Sequence, residues 1–78
     1  MKMGMLWFDN DKTRTLVEKV ERAATFYVEK YGTEPNCCCV NPAVQIAGVE
    51  TNGVELRHRK ETLIYDLWIG VSDDQLDV

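Results

Sequence analysis

The sequence predicts an α+β fold in which one long amino-terminal amphipathic helix packs on a small antiparallel sheet of three to four strands. Three observations predict it: one long stretch with helical periodicity, several short apolar runs after that stretch, and an Asn-Gly pair between two of those runs. The chain has 78 residues, which is the size of one domain. We expect residues 1–78 to form that domain and residues 72–78 to fray.

The predicted helix extends from about residue 12 to residue 31. Its apolar side chains fall within an arc of about 140°, so one stripe of the helix is suited to burial against a sheet. The stripe consists of Leu16, Val17, Val20, Ala23, Ala24, Tyr27, Val28 and Tyr31. We expect Asp9-Asn10-Asp11 to cap the amino terminus of the helix and Gly32 to end it in a left-handed conformation.

The predicted strands follow the helix, at Cys37–Val40, Gln45–Thr51, Val54–His58 and Thr62–Ile69. Asn52-Gly53 predicts a hairpin between the second and the third of these strands, since Asn-Gly suits a two-residue turn. Met5–Phe8 either adds an edge strand or packs as a lid, and the sequence leaves both open.

Alternation along the last predicted strand separates two faces. The residues expected to meet the helix are Leu63, Tyr65, Leu67 and Ile69. The residues expected on the opposite face are Ile64, Asp66 and Trp68.

The charge of the chain argues against two classes of partner. Acidic residues number 13 and basic residues 9, giving a net charge of −4, which disfavours general binding to nucleic acid and to anionic membranes. No apolar run approaches the roughly 20 residues that span a bilayer. The first residues lack the apolar stretch of a signal peptide, so we expect a cytoplasmic protein, and no motif predicts a cofactor.

The three consecutive cysteines are the most obvious chemical feature. In an extended segment Cys37 and Cys39 point to one face and Cys38 to the other, and His58 is the only other candidate ligand of similar chemistry. Cys37, Cys39 and His58 therefore form the metal hypothesis, although the paired spacing of structural zinc sites is absent. The sequence also lacks the C-x-x-C spacing of redox sites. The favoured interpretation is that the thiols fill a core as small apolar groups.

Two further groups of residues are candidate sites. Arg57, Arg59 and Lys60 form a basic turn that suits a weak nucleic-acid contact, or that is simply a solvated turn balanced by nearby glutamates. The second group is apolar and does not belong to the helix stripe or to the helix-facing side of the last strand. Its members are Trp68, Ile64, Trp7, Phe8 and Phe26. In one alternative Trp7 and Phe8 fold over the face of the last strand that carries Ile64 and Trp68. In the other these residues form an interface, since aromatic residues are enriched in interface cores.

Several short motifs resemble those of a group of short bacterial proteins without known activity. The motifs are Trp7-Phe8-Asp9-Asn10-Asp11, Lys30-Tyr31-Gly32 with Pro35-Asn36, Val40-Asn41-Pro42 and Trp68-Ile69-Gly70-Val71. The resemblance implies no function. It implies assorted apolar residues at the cysteine positions, which agrees with a core role for the thiols.

The sequence thus predicts a small non-enzymatic domain that acts through protein–protein contacts, with self-association first. The alternatives are a thiol or zinc site at Cys37 and Cys39, and a nucleic-acid contact at the basic turn.

Overall fold

The computed structural model describes residues 3–72 and contains one helix packed on a four-stranded sheet. The elements are β1 (Met3–Phe8), α1 (Leu16–Tyr31), β2 (Cys37–Val40), β3 (Glu55–His58) and β4 (Asp66–Val71). The predicted α+β class is confirmed. The predicted frayed tail lies outside the described residues except for Ser72, which is buried.

The sheet is mixed, whereas the sequence predicted an antiparallel one. Its strand order is β1-β4-β2-β3. β4 is antiparallel to both of its neighbours, and β2 and β3 run parallel. The two central strands are therefore β2 and β4, and the two edges are β1 and β3.

The predicted hairpin is wrong, although the turn at its centre exists. Asn52 and Gly53 both have positive φ, and the N–H of Val54 donates to the carbonyl of Thr51 at 3.2 Å. The preceding run 45–51 is not a strand, because Gly48 adopts a φ of 78° and the N–H of Val49 closes a turn onto Ile46. The turn instead directs the chain into β3, which pairs with β2.

The parallel pairing of β2 and β3 requires a crossover, formed here by residues 41–54 without a helix. Val44, Ile46 and Val54 of this crossover pack against the core cluster together with the helix. The helix and the crossover therefore share one face of the sheet, which we call the inner face. The opposite face is the outer face.

The helix begins later than predicted, at Leu16. Thr15 is its cap: the hydroxyl accepts from the N–H of Glu18 at 3.2 Å, and the Glu18 carboxylate accepts from the N–H of Thr15 at 2.8 Å. This capping box satisfies two backbone donors at once. Asp11 instead braces the loop before the helix by accepting from the N–H of Thr13 at 2.8 Å. Gly32 ends the helix as predicted, with a φ of 71°.

The core lies between α1 and the inner face. Its buried residues are Val20, Ala23, Tyr27, Cys38, Val40, Leu67 and Ile69. Leu67 and Ile69 confirm part of the predicted helix-facing set. Leu63 and Tyr65 do not belong to it, because β4 begins only at Asp66 and both side chains are exposed in the preceding loop.

Candidate interaction surface

The cysteine triplet divides between the two faces of the sheet, as strand alternation predicts. Cys38 pairs with Ile69 and Leu56 and lies on the inner face. Cys39 pairs with Trp68 and Arg57 and lies on the outer face, which it shares with Cys37. All three thiols are free and buried.

Burial lowers the reactivity of the Cys37 and Cys38 thiols. Desolvation raises the pKa of Cys37 to about 11 and that of Cys38 to about 12, with smaller contributions from the neighbouring thiols. Because the thiolate is the form that attacks electrophiles and binds metals, a raised pKa keeps both groups in their less reactive protonated form at neutral pH. This burial agrees with the interpretation of the thiols as small core residues.

The structure does not bring His58 to the two outer thiols. His58 pairs with Val40, so its side chain belongs to the inner face, opposite Cys37 and Cys39. Its Nε2 lies 2.7 Å from the carbonyl of Val44 in the crossover. Within residues 3–72, no group of three His, Cys, Asp or Glu side chains is placed to hold a metal ion.

The basic turn is interleaved with carboxylates. The guanidinium Nη2 of Arg57 lies 3.0 Å from the carboxylate Oε1 of Glu55, and the Nε of Arg59 lies 3.1 Å from the Oε1 of Glu61. Lys60 is exposed between them. Two of the three cations are thus paired with acids two residues away, which weakens the field available to a phosphate.

The aromatic candidates gather around β1 on both faces. Trp7 lies on the inner face, where its ring centroid is 4.7 Å from that of Phe26 on α1. Phe8 lies on the outer face and is 61% exposed. Trp68 is on the outer face of the adjacent strand, in register with Leu6. The predicted alternative in which Trp7 and Phe8 together cover the second face is not what the structure has, since their side chains point to opposite faces.

Ile64 is the one member of the predicted group that lies elsewhere. It borders a cavity of about 110 Å³ with Leu16, Val44 and Leu67. This volume is small beside the roughly 300–1,000 Å³ of typical ligand pockets.

Sequence reasoning missed Leu6, which is 50% exposed and extends the row from Trp68 to the edge of the sheet. The full row across the outer face is Leu6, Trp68, Cys39 and Arg57. The segment Met3–Phe8 is apolar throughout apart from Gly4, so its sequence does not distinguish the two faces. Leu6 can be assigned to the outer face only once the segment is known to be a strand.

The two edges of the sheet have opposite characters. β3 has four residues and includes Glu55, Arg57 and His58, which is how natural proteins protect an edge from pairing with other chains. β1 has six residues, MGMLWF, with no charge and no proline. Among the described residues no strand pairs with its outer side.

Comparison of the chain with protein-family models, with curated proteins and with solved structures gives no match. No helix within residues 3–72 has the length and apolar character that crossing a membrane requires.

Proposed function

We propose that this chain is a small non-enzymatic domain that acts through protein–protein contacts, self-association first, and that β1 is the contact. The observation that carries the proposal is the unprotected edge. A long, uncharged edge strand presents a row of backbone donors and acceptors to any strand that approaches it.

The side chains beside this edge support the same surface. Leu6 and Phe8 are 50% and 61% exposed on the outer face, and Phe26, 48% exposed, packs on Trp7 at the inner face. Apolar side chains therefore flank the outer edge of β1 on both faces of the sheet. Such a combination offers directional hydrogen bonds and burial of apolar area in one contact.

The size of the domain gives self-association a physical benefit. A chain of about this length buries only about 60% of the surface that its unfolded form exposes, so its stability margin is thin. A second strand on β1 turns an edge strand into an interior one. Oligomerisation is a common way for small domains to extend a limited core.

The test compares two lysine substitutions in sedimentation velocity. Leu6→Lys places a charge on the β1 edge, which is a natural protection against strand pairing. The half of the Leu6 side chain that is exposed in a single copy would be buried in the dimer, and the substitution removes that burial from both copies. We therefore expect the dissociation constant to rise about 10- to 100-fold.

Leu63→Lys is the matched control, because Leu63 is 68% exposed in the loop before β4 and is not beside β1. It should associate like the unmodified chain. A chain that stays monomeric at the highest accessible concentration, or a Leu6→Lys variant that associates unchanged, contradicts the proposal.

A further inference from the structure

The backbone of β1 has a defined orientation at the edge of the sheet. Asp9 continues the register with β4, and its N–H donates to the carbonyl of Tyr65 at 3.0 Å. In antiparallel pairing the backbone groups of successive residues point alternately toward and away from the neighbouring strand. Met5 and Trp7, which share the parity of Asp9, therefore point toward β4. The residues whose N–H and C=O point outward are Gly4, Leu6 and Phe8.

We infer that the partner of this edge is a second copy of the chain, paired β1 to β1 in antiparallel fashion with Leu6 opposite Leu6 and Gly4 opposite Phe8. The inference rests on the proposed function and names its partner and register. The two copies are then related by a two-fold axis perpendicular to the sheet, as the symmetry of homodimers requires. The product is one continuous eight-stranded sheet, twice the four strands of a single copy.

Hydrogen bonding selects this register over its neighbours. A symmetric pairing centred on Leu6 engages all three outward residues of each strand. Within the described strand Met3–Phe8, a pairing centred on Met5 or on Trp7 engages only two of them, because the third then faces a position outside β1. Moving the centre by one residue shifts the two strands by two residues, so Leu6 no longer lies opposite Leu6 and Phe8 no longer lies opposite Gly4.

The outer face is complementary to itself in this register. Leu6 meets Leu6 across the seam, and Trp68 continues the apolar row in both copies. Gly4 has no side chain, and the exposed ring of Phe8 from the other copy lies directly opposite it. An aromatic ring beside a strand glycine covers backbone that the glycine leaves open.

The inner face matches as well. Met5 of one copy lies opposite Trp7 of the other, and Phe26 already packs on Trp7 at this edge. The two helices lie on the same side of the joined sheet. Each rests against β4, and the two β4 strands are three strand spacings apart, about 14 Å. Packed helices need only about 8–10 Å, so the helices do not collide and Phe26 has room between them.

A stable dimer at this edge requires contacts on both faces of the sheet. A six-residue strand is about 20 Å long, and its pairing alone stays below the roughly 1,200 Å² of the smaller stable interfaces. The additional area must come from side chains that flank the strand. Leu6, Phe8 and Phe26 are large, partly exposed and placed there.

Disulfide cross-linking tests the register. Directly opposed residues of an antiparallel pair have Cα atoms about 4.5–5.5 Å apart, within the range of a disulfide. Two copies of the Leu6→Cys variant should cross-link under mild oxidation, and the cross-linked fraction should match the dimer fraction. That cross-linked fraction should be several-fold larger than for the unmodified chain. The native thiols give a low background because all three are buried.

Two further cysteines separate the registers. Gly4→Cys mixed with Phe8→Cys should give the heterodimer, and neither should cross-link with itself, since its copies lie about 13 Å apart along the strand. Met5→Cys cross-linking in place of Leu6→Cys would overturn the register. Association in sedimentation without any of these cross-links would overturn strand pairing but retain self-association, and the absence of association would overturn both proposals.

Discussion

The buried thiol of Cys38 predicts a loss of stability in alkali that a single substitution removes. Cys38 is 0% exposed on the inner face, and desolvation raises its pKa from 9.0 to about 12. Between these two values the unfolded chain has lost the thiol proton while the folded chain keeps it. The unfolded state then binds fewer protons, so the free energy of unfolding falls as the pH rises. The contribution is intact below pH 9 and is lost through the window from about pH 9 to pH 12.

The size of the effect follows from the difference in pKa. Each pH unit inside the window costs about 1.4 kcal/mol per thiol, so Cys38 alone removes about 1.4 kcal/mol by pH 10. Cys38→Ala removes this ionisation. It also loses the packing of one sulfur atom, for which we expect a cost of about 1 kcal/mol at pH 7.

The assay is urea denaturation followed by helix circular dichroism at pH 7 and pH 10, under reducing conditions. The unmodified chain should lose about 1.4 kcal/mol more than Cys38→Ala between the two pH values. Cys37 and Tyr27, whose pKa values burial also raises, ionise in both proteins, and their effects cancel in the difference. An equal loss in both proteins would mean that the folded chain ionises Cys38 freely, which refutes its placement in the core.

Two further substitutions test local features of the fold. Thr15→Ala removes the capping box of α1 and should cost about 1 kcal/mol in urea denaturation, whereas Thr15→Ser keeps the hydroxyl and most of the stability. Asn36→Ala removes a side chain that donates to the carbonyl of Ser72 at 3.0 Å and accepts from its N–H at 2.8 Å. We expect a cost of about 1–3 kcal/mol and faster hydrogen exchange at the amide of Ser72, and unchanged exchange there would contradict the role of Asn36.

The helix was predictable because its signals are local. The apolar period and Gly32 identified its course and its end, and both depend on residues within a few turns of one another. The start was misplaced because Asp9 and Asp11 have the residue type of a cap. Thr15 and Glu18 carry the reciprocal capping pair, which is the more specific signal.

The sheet was harder to predict because its pairing is not local. Asn52-Gly53 forms a turn, but a turn fixes only the direction of the chain and not the strand that the next segment joins. Gly48 interrupts the run before the turn, so no strand is available there for a hairpin. The segment after the turn pairs instead with the free side of β2.

The residues of the candidate surface were predicted from the sequence, but the face of the sheet on which each one lies was not, because that depends on its position in a strand. Trp7, Phe8, Phe26 and Trp68 were selected as apolar residues without a place in the core, and they do lie around one edge. Their arrangement on two faces depends on β1 being a strand. The cysteine triplet, by contrast, was correctly divided because alternation needs only an extended segment.

Association at β1 and stability of the domain are physically linked. Among the described residues β1 pairs with one strand, β4, and it is also held by Met5 and Trp7, which pack against the core cluster. A second copy supplies a neighbour on the other side, and any partner that binds only the folded chain raises its apparent stability by mass action. Leu6 contributes little to the fold of a single copy, since it is half-exposed on the outer face. A charge at Leu6 should therefore remove the concentration-dependent part of the stability and leave the helix of the single copy intact, which is how an interface residue differs from a core residue such as Ile69.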